Sequence, residues 1–182
     1  MIKKKKRPVI IVGHGAKFNM KMIIELGEKL NAPIMTIFKG KGQIADHHPL
    51  GCGVLSRSGT PIASYFMNEA DLIIAITSFS NHTGITPKKP TIQIDFDPLT
   101  LAKFHPVDVV VFGEIGRTVE LLNNEKYGEK INQRTEIKER WQIWQSEKHK
   151  RLKENRNNGI SSTAIFDALN KTAPKMRLCV SM

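Results

Sequence analysis

Cysteine is scarce in this sequence of 182 residues, and the two present, Cys52 and Cys179, lie far apart. They suggest neither a disulfide framework nor a metal site, so both thiols are expected to be reduced and at least partly buried. Long apolar runs are missing as well, since none approaches the roughly 20 residues of a membrane-spanning helix. The apolar run 9–13 after the basic start is too short for a signal-peptide core, which predicts a cytoplasmic protein with no membrane span.

Acidic residues are also few: 28 Lys and Arg against 17 Asp and Glu give a formal net charge of +11. A basic balance is typical of nucleic-acid-binding proteins. Here, however, five basic residues form the run 3–7, and many others alternate with acids in the segment 136–154. That alternation is typical of a solvent-exposed helix face. Because no helix-turn-helix, zinc-finger or aromatic RNA-binding motif accompanies it, specific nucleic-acid binding is not expected.

Short apolar runs rich in β-branched residues predict five buried strands, at 9–12, 34–38, 72–76, 91–96 and 108–112. Helical patterns separate several of them. One helix is predicted to present Phe18, Met22, Leu26 and Leu30 to the sheet, and a second is predicted to begin at a Thr60 cap. Strands that alternate with helices predict an α/β domain with a parallel, doubly wound sheet.

The character of the sequence changes near residue 126, where a long charged helix is predicted. Its residues Ile137, Trp141 and Trp144 fall on one face, and this ridge is expected to fold back on the sheet or to meet another chain. Ser161 is expected to cap a short helix that precedes a strand at 176–180. The predicted organisation is a linker tail at 1–8, the α/β domain at 9–125, a charged helical linker at 126–160 and the truncated start of another domain at 161–182.

Glycines and small polar residues follow the predicted strands, where a parallel sheet holds its ligands. The turn 13–15 contains the first two glycines of a dinucleotide-binding pattern, although a tight strand-to-helix turn explains it equally well. Lys39 lies in a lysine–glycine loop that suits a phosphate or carboxylate, or is simply a flexible surface loop. Asp95 ends a strand and either contacts a ribose or caps a turn. The pair His47 and His48 is interpreted as a turn, and no metal site is expected.

Six short motifs carry a resemblance to a known family by their order and spacing: GKG at 40–42, then HHPLGCGVL, SGT, EADLIIAI, TSFSNHT and IDFDP. Together they resemble the central domain of thiamine-diphosphate-dependent 2-oxo acid enzymes, the family of acetolactate synthase and pyruvate oxidase. The resemblance covers about residues 8–122. It implies a three-layer, Rossmann-like α/β/α domain with a parallel sheet of about six strands. The implied partners are a pyrimidine-binding and a diphosphate-binding domain, and a homo-oligomer is expected.

The resemblance also implies cofactors and the residues that contact them. Thiamine diphosphate and Mg²⁺ belong to the full-length enzyme only, whereas this domain binds FAD, ADP or no nucleotide. Many family members have a glycine where this sequence has Ile76. The residues implied to contact a nucleotide are Gly13, His14, Gly15, Phe38, Lys39, Leu55, Ser56, Arg57, Ser58, Thr77, Ser78, Asp95, Phe96, Glu114 and Ile115.

No catalytic residue is predicted in this sequence. The family's activating glutamate belongs to the first domain, and the Asp-Gly pair of the motif that holds magnesium and diphosphate occurs nowhere here. The chain alone is therefore expected to be inactive. The alternative is a stand-alone nucleotide-binding subunit that docks on a partner protein through the ridge.

Overall fold

The computed structural model describes residues 1–77, 89–153 and 159–172. The chain divides into two compact units, Met1–Arg140 and Trp141–Met182. Six strands form the sheet of the first unit: β1 (Pro8–Val12), β2 (Ile34–Thr36), β3 (Gly51–Val54), β4 (Leu72–Ile76), β5 (Thr91–Asp95) and β6 (Val109–Phe112). The α-helices are α1 (Met20–Lys29), α2 (Pro61–Glu69), α3 (Ile115–Asn124), α4 (Arg134–Lys153) and α5 (Ser162–Thr172), and 3-10 helices cover Ile2–Lys4, His14–Asn19 and Phe38–Gly40.

All neighbouring strands in the sheet are parallel, in the order β3-β2-β1-β4-β5-β6. The two central strands are β1 and β4, and every residue of both is buried. Helices α1 and α3 pack against each other. Right-handed crossovers place α2, which returns the chain from β3 to β4, on the opposite face. This arrangement confirms the predicted three-layer α/β/α domain. The strand order reverses between β1 and β4, and that edge is where such folds bind ligands.

The predicted core-facing stripe of the first helix is confirmed at Leu26 and Leu30, which are buried, and is wrong at Phe18. Residues 14–19 form a 3-10 helix, so α1 begins only at Met20. Phe18 therefore lies before the α-helix and is 86% exposed. The residues of α1 that face the core are Met20, Ile23, Leu26 and Gly27. A stripe counted at four-residue spacing from Phe18 therefore begins outside the α-helix, although its last two members, Leu26 and Leu30, do face the core.

Strand β3 was not among the five predicted strands, because its sequence, Gly-Cys-Gly-Val, has little strand propensity. Its glycines are required by close packing instead. A β-carbon on Gly51 would lie 2.6 Å from the carbonyl oxygen of Ala45. Gly53 has a left-handed backbone with φ 77° and lies against Thr60. Cys52 between them is fully buried, as expected for a reduced structural thiol.

The long charged helix begins at Arg134, later than predicted, because residues 126–133 are not helical and are hydrogen-bonded to the amino-terminal segment instead. The amide of Ile131 donates to the carbonyl of Lys6 (3.0 Å), and Lys130 Nζ donates to the carbonyl of Ile2 (2.9 Å). Both carboxylate oxygens of Asp71 accept backbone amides, from Lys6 and Arg7. Residues 1–7 are thus hydrogen-bonded to the α/β domain.

The ridge residues fall in both units. Ile137 is buried in the first unit, whereas Trp141 and Trp144 are half-buried residues of the second. Ser161 caps α5 as predicted, since its hydroxyl accepts the amide of Ala164 (3.2 Å). The strand predicted at 176–180 lies outside the described residues. Within the described ranges, no helix is both long enough and apolar enough to cross a membrane.

Candidate functional site

The carboxyl ends of the six parallel strands bring the predicted site residues to one edge of the sheet. The turn 13–15 follows β1, Phe38 and Lys39 follow β2, residues 55–58 follow β3, and Thr77 follows β4. Asp95 ends β5 and Phe96 follows it, and Glu114 and Ile115 follow β6. Ser78 lies outside the described residues. In a doubly wound sheet the ligand crevice is found at this edge, between the two strands where the order reverses. The centre of the candidate site is therefore the contact between the β1 and β4 turns.

The glycine turn after β1 is packed against the protein's own atoms. A β-carbon on Gly13 would lie 1.5 Å from the carbonyl oxygen of Thr77. A β-carbon on Gly15 would lie 3.1 Å from Cε1 of Phe96 and 3.2 Å from Cβ of Thr77. The amide of Gly13 already donates to the carbonyl of Ile76 (2.8 Å). Both glycines are therefore explained by a tight turn, and they need no ligand to account for them.

Thr77 is the most unusual residue at this edge. Its φ of 51° is left-handed, a conformation that is strongly disfavoured for a β-branched side chain. It is 3% exposed, and its buried hydroxyl has no hydrogen-bond partner among the described residues. Ile76, where many members of the resembled family have a glycine, is a regular strand residue paired with Val12. The position whose backbone favours glycine is thus the next one, and threonine occupies it.

Polar groups lie beside the turn on the side of β2 and β3. The side chains of His14, Lys39 and Arg57 are exposed, and His14 Nδ1 lies 3.1 Å from the carbonyl oxygen of Lys39. Gln43 is not among the site residues predicted from the sequence, because nothing in the sequence distinguishes it from an ordinary loop residue. Its Nε2 donates to the carbonyl oxygens of Gly13 (3.3 Å) and His14 (3.4 Å). Its Oε1 and the hydroxyl of Ser56 are buried without a partner in the described parts of the chain.

On the side of β5 and β6 the carboxylates accept hydrogen bonds from the backbone. Asp95 is buried and accepts the amide of Asp97 (3.0 Å), so its turn-capping role is present in the structure. Glu114 caps α3, since its two oxygens accept the amides of Gly116 (2.8 Å) and Arg117 (2.6 Å). The amides of Arg117 and then Gly116 hold the pKa of Glu114 below its usual range.

The remaining predicted residues divide between the surface and the core. Phe38 and Phe96 are about half exposed, and Ser58 is exposed near the amino end of α2. That helix has the predicted Thr60 cap, whose hydroxyl accepts the amide of Ala63 (3.4 Å). The side chains of Leu55 and Ile115 are buried among core residues, so they offer a ligand no side-chain surface. In residues 1–77, 89–153 and 159–172, no cluster of three or more His, Cys, Asp or Glu could hold a metal ion.

Replacing Glu114 by alanine is expected to lower the melting temperature by about 2–4 °C, because two helix amides lose their acceptor. The folded-state pKa is lowered. The stability that Glu114 contributes is therefore present above the usual carboxyl pKa and is lost as the pH falls through the lowered pKa. Thermal unfolding of wild type and Glu114→Ala at pH 7 and near pH 3 measures this. Equal differences at both pH values would contradict the assignment, and Glu114→Asp, which retains an acceptor, is the control.

Comparison with known proteins gives a family match over residues 1–122, to the family described as "Thiamine pyrophosphate enzyme, central domain". YdaP of Bacillus subtilis, named as a thiamine pyrophosphate-containing protein, is 37% identical over 103 residues, covering 56% of this chain and 18% of that protein. The 3D-(3,5/4)-trihydroxycyclohexane-1,2-dione hydrolase of Clostridium perfringens is 32% identical over 58% of this chain and 17% of its own length. The acetolactate synthase large subunit of Haemophilus influenzae is 29% identical over 85% of this chain and 29% of its own length. The chain thus spans between about a sixth and a third of these relatives.

Proposed function

The chain belongs to the thiamine pyrophosphate enzyme family, whose central domain it contains, and we propose that it is that domain in an enzyme acting on 2-oxo acids. The proposed reaction is a decarboxylation, an oxidation or a carboligation of the acetolactate synthase type. The observation that carries the proposal is the match over residues 1–122, which includes all six strands of the described sheet. The acetolactate synthase and hydrolase among the relatives support the family while leaving the exact substrate open.

Thiamine diphosphate and Mg²⁺ would be held by the neighbouring pyrimidine- and diphosphate-binding domains of the full-length enzyme. When bound, this cofactor supplies carbanion stabilisation, which amino-acid side chains cannot provide. The contribution proposed for this chain is a rigid α/β body between those two domains, within a homo-oligomer. The greater length of the relatives supports the presence of further domains in the full-length protein.

The isolated chain of 182 residues is expected to bind no thiamine diphosphate, because the Asp-Gly pair of the family's diphosphate motif is not in its sequence. Isothermal titration with the cofactor and Mg²⁺ measures this, and binding in the micromolar range would contradict the expectation. The acetolactate synthase large subunit of Haemophilus influenzae, titrated in parallel, is the positive control.

A chimera tests the proposed function directly. Residues 1–122 replace the matching segment of the Haemophilus influenzae subunit, and acetolactate formation is measured. Activity that depends on thiamine diphosphate supports a central-domain role. A folded chimera that neither assembles nor reacts would favour the alternative, a separate nucleotide-binding subunit. A second chimera carrying Gly13→Ala, expected to be less stable because of the close contact with Thr77, should lose activity at a lower temperature, which checks that the activity requires the folded insert.

The FAD or ADP implied by the resemblance does not fit the arrangement of the described residues. Thr77 lies over the glycine turn, with its Cβ and Cγ2 3.2 Å from a β-carbon position on Gly15. A pyrophosphate at this turn would have to displace the Thr77 side chain. The proposed central domain is therefore one that works without a bound dinucleotide.

A further inference from the structure

We propose that Thr77 is the specificity-determining residue that keeps nucleoside diphosphate ligands out of this domain, by filling the crevice between the β1 and β4 turns. The inference rests on the proposed function, because it concerns the ligand crevice of a central domain. Sheets of this type bring a pyrophosphate close to the backbone of the glycine turn after β1. Here the main chain and the side chain of one residue from the neighbouring turn lie at that position.

Thr77 lies close to both glycines of the turn. Positions for β-carbons on the turn define the space above it. The position on Gly13 lies 1.5 Å from the carbonyl oxygen and 2.9 Å from Oγ1 of Thr77. The position on Gly15 lies 3.2 Å from both Cβ and Cγ2 of Thr77. The carbonyl oxygen at Gly13 belongs to the main chain and remains with any residue at position 77, whereas the side chain of Thr77 fills the space over Gly15.

The backbone of Thr77 is held in this position from two sides. Its amide donates to the carbonyl of Ile94 in β5 (2.9 Å), and the preceding carbonyl, of Ile76, accepts the amide of Gly13 (2.8 Å). Glycine would adopt the left-handed conformation without a steric penalty, whereas threonine does not. A strained conformation persists only where the surrounding structure imposes it, and such conformations are concentrated at functional positions.

The surroundings of Thr77 retain features that suit an anionic nucleotide. Lys39 and Arg57 are exposed at the same edge, and Gln43 Oε1 and Ser56 Oγ are buried without partners in the described residues. Positive side chains suit a diphosphate, and uncharged acceptors suit the donors of a nucleoside. Removal of the Thr77 side chain would thus open a crevice with suitable groups already beside it.

Three substitutions of Thr77 distinguish the effect of the space that its side chain fills from the effect of its strained backbone. Glycine removes both the side chain and the left-handed strain. Asparagine tolerates the left-handed backbone but keeps the crevice filled, and alanine removes only the γ atoms. Both Thr77→Gly and Thr77→Asn are expected to melt above the wild type without ligand. Only Thr77→Gly is expected to bind ADP and FAD, at least tenfold more tightly than the wild type, with Thr77→Ala between the two.

Calorimetric titration and ligand-dependent melting of the full chain with ADP and with FAD measure these changes, and adenosine serves as the control without phosphate. Binding of ADP or FAD by the wild type would overturn the proposal. So would a Thr77→Gly variant that binds no better than wild type, or equal gains in Thr77→Gly and Thr77→Asn. Should Thr77→Gly not fold, the same comparison is made between Thr77→Ala and Thr77→Asn. If the proposed central-domain function is wrong, the chimera described above will be inactive, and that result is independent of nucleotide binding by the Thr77 variants.

Discussion

Replacing Gly13 by alanine is expected to cost the domain about 3 kcal/mol of folding stability. The added methyl group would lie 1.5 Å from the carbonyl oxygen of Thr77, and the ends of two buried central strands would have to separate. The backbone of Gly13, with φ −93° and ψ 178°, suits any residue, so the cost is steric and not conformational. Urea unfolding of both proteins measures the change.

Gly128 provides the matched control. A β-carbon there would meet only the carbonyl oxygen of Lys3, at the ordinary contact distance of 3.6 Å. Gly128→Ala is therefore expected to change the unfolding free energy by less than about 0.5 kcal/mol. If Gly13→Ala unfolded at the same urea concentration as Gly128→Ala, the close approach of the β1 and β4 turns would be wrong. The proposed filling of the crevice by Thr77 would then lose its steric basis.

Replacing Glu136 by alanine is expected to cost about 2 kcal/mol, because this carboxylate joins three elements. One oxygen lies 2.8 Å from the Arg7 guanidinium, with both side chains about a quarter exposed, and the other accepts the Tyr65 hydroxyl at 2.6 Å. The guanidinium of Arg140 stacks 3.7 Å from the centre of the Tyr65 ring. The substitution would leave Arg7 without its carboxylate partner and Tyr65 without this acceptor.

The effect of Glu136 should depend on pH. Burial alone would raise its pKa, but the hydrogen bonds from Tyr65 and Arg7 together outweigh burial and hold the pKa below its usual range. Stability from this group is then present above the usual carboxyl pKa and lost as the pH falls through the lowered value. Unfolding of Glu136→Ala is compared with that of Glu139→Ala, an exposed acid on the same helix. Similar losses for the two variants at pH 7 would contradict a specific role for the cluster.

Most of the sheet could be predicted because buried parallel strands need continuous apolar, β-branched sequence. Val9–Val12 and Leu72–Ile76 are such runs, and both were predicted to within a residue. Strand β3 could not be recognised in this way, since two of its four residues are glycines selected by contacts with Ala45 and Thr60. The start of α1 was misplaced for a related reason, because the preceding 3-10 helix leaves no apolar periodicity in the sequence.

The sequence was enough to predict at which edge of the sheet the candidate site lies, but not the contacts that its residues make there. The ends of parallel strands follow from the strand assignments, so the described residues of the predicted set do lie at one edge. What each residue does there depends on its spatial neighbours. Nothing in the sequence shows that Thr77 is left-handed, that Gln43 lies against the turn or that Glu114 caps α3. These properties arise from contacts between segments that are distant along the chain.

The position of β1 at the centre of the sheet has a consequence for protein synthesis. Of the strands in this sheet β1 is synthesised first, but one of its two neighbours, β4, begins only at Leu72. At about 5–20 residues per second, the first strand waits several seconds for that partner. During this interval the edge of β1 that later pairs with β4 is unpaired in a strongly apolar segment, the kind of species that chaperones bind. The basic run 3–7 directly before β1 keeps a cluster of positive charge beside that apolar segment while it waits.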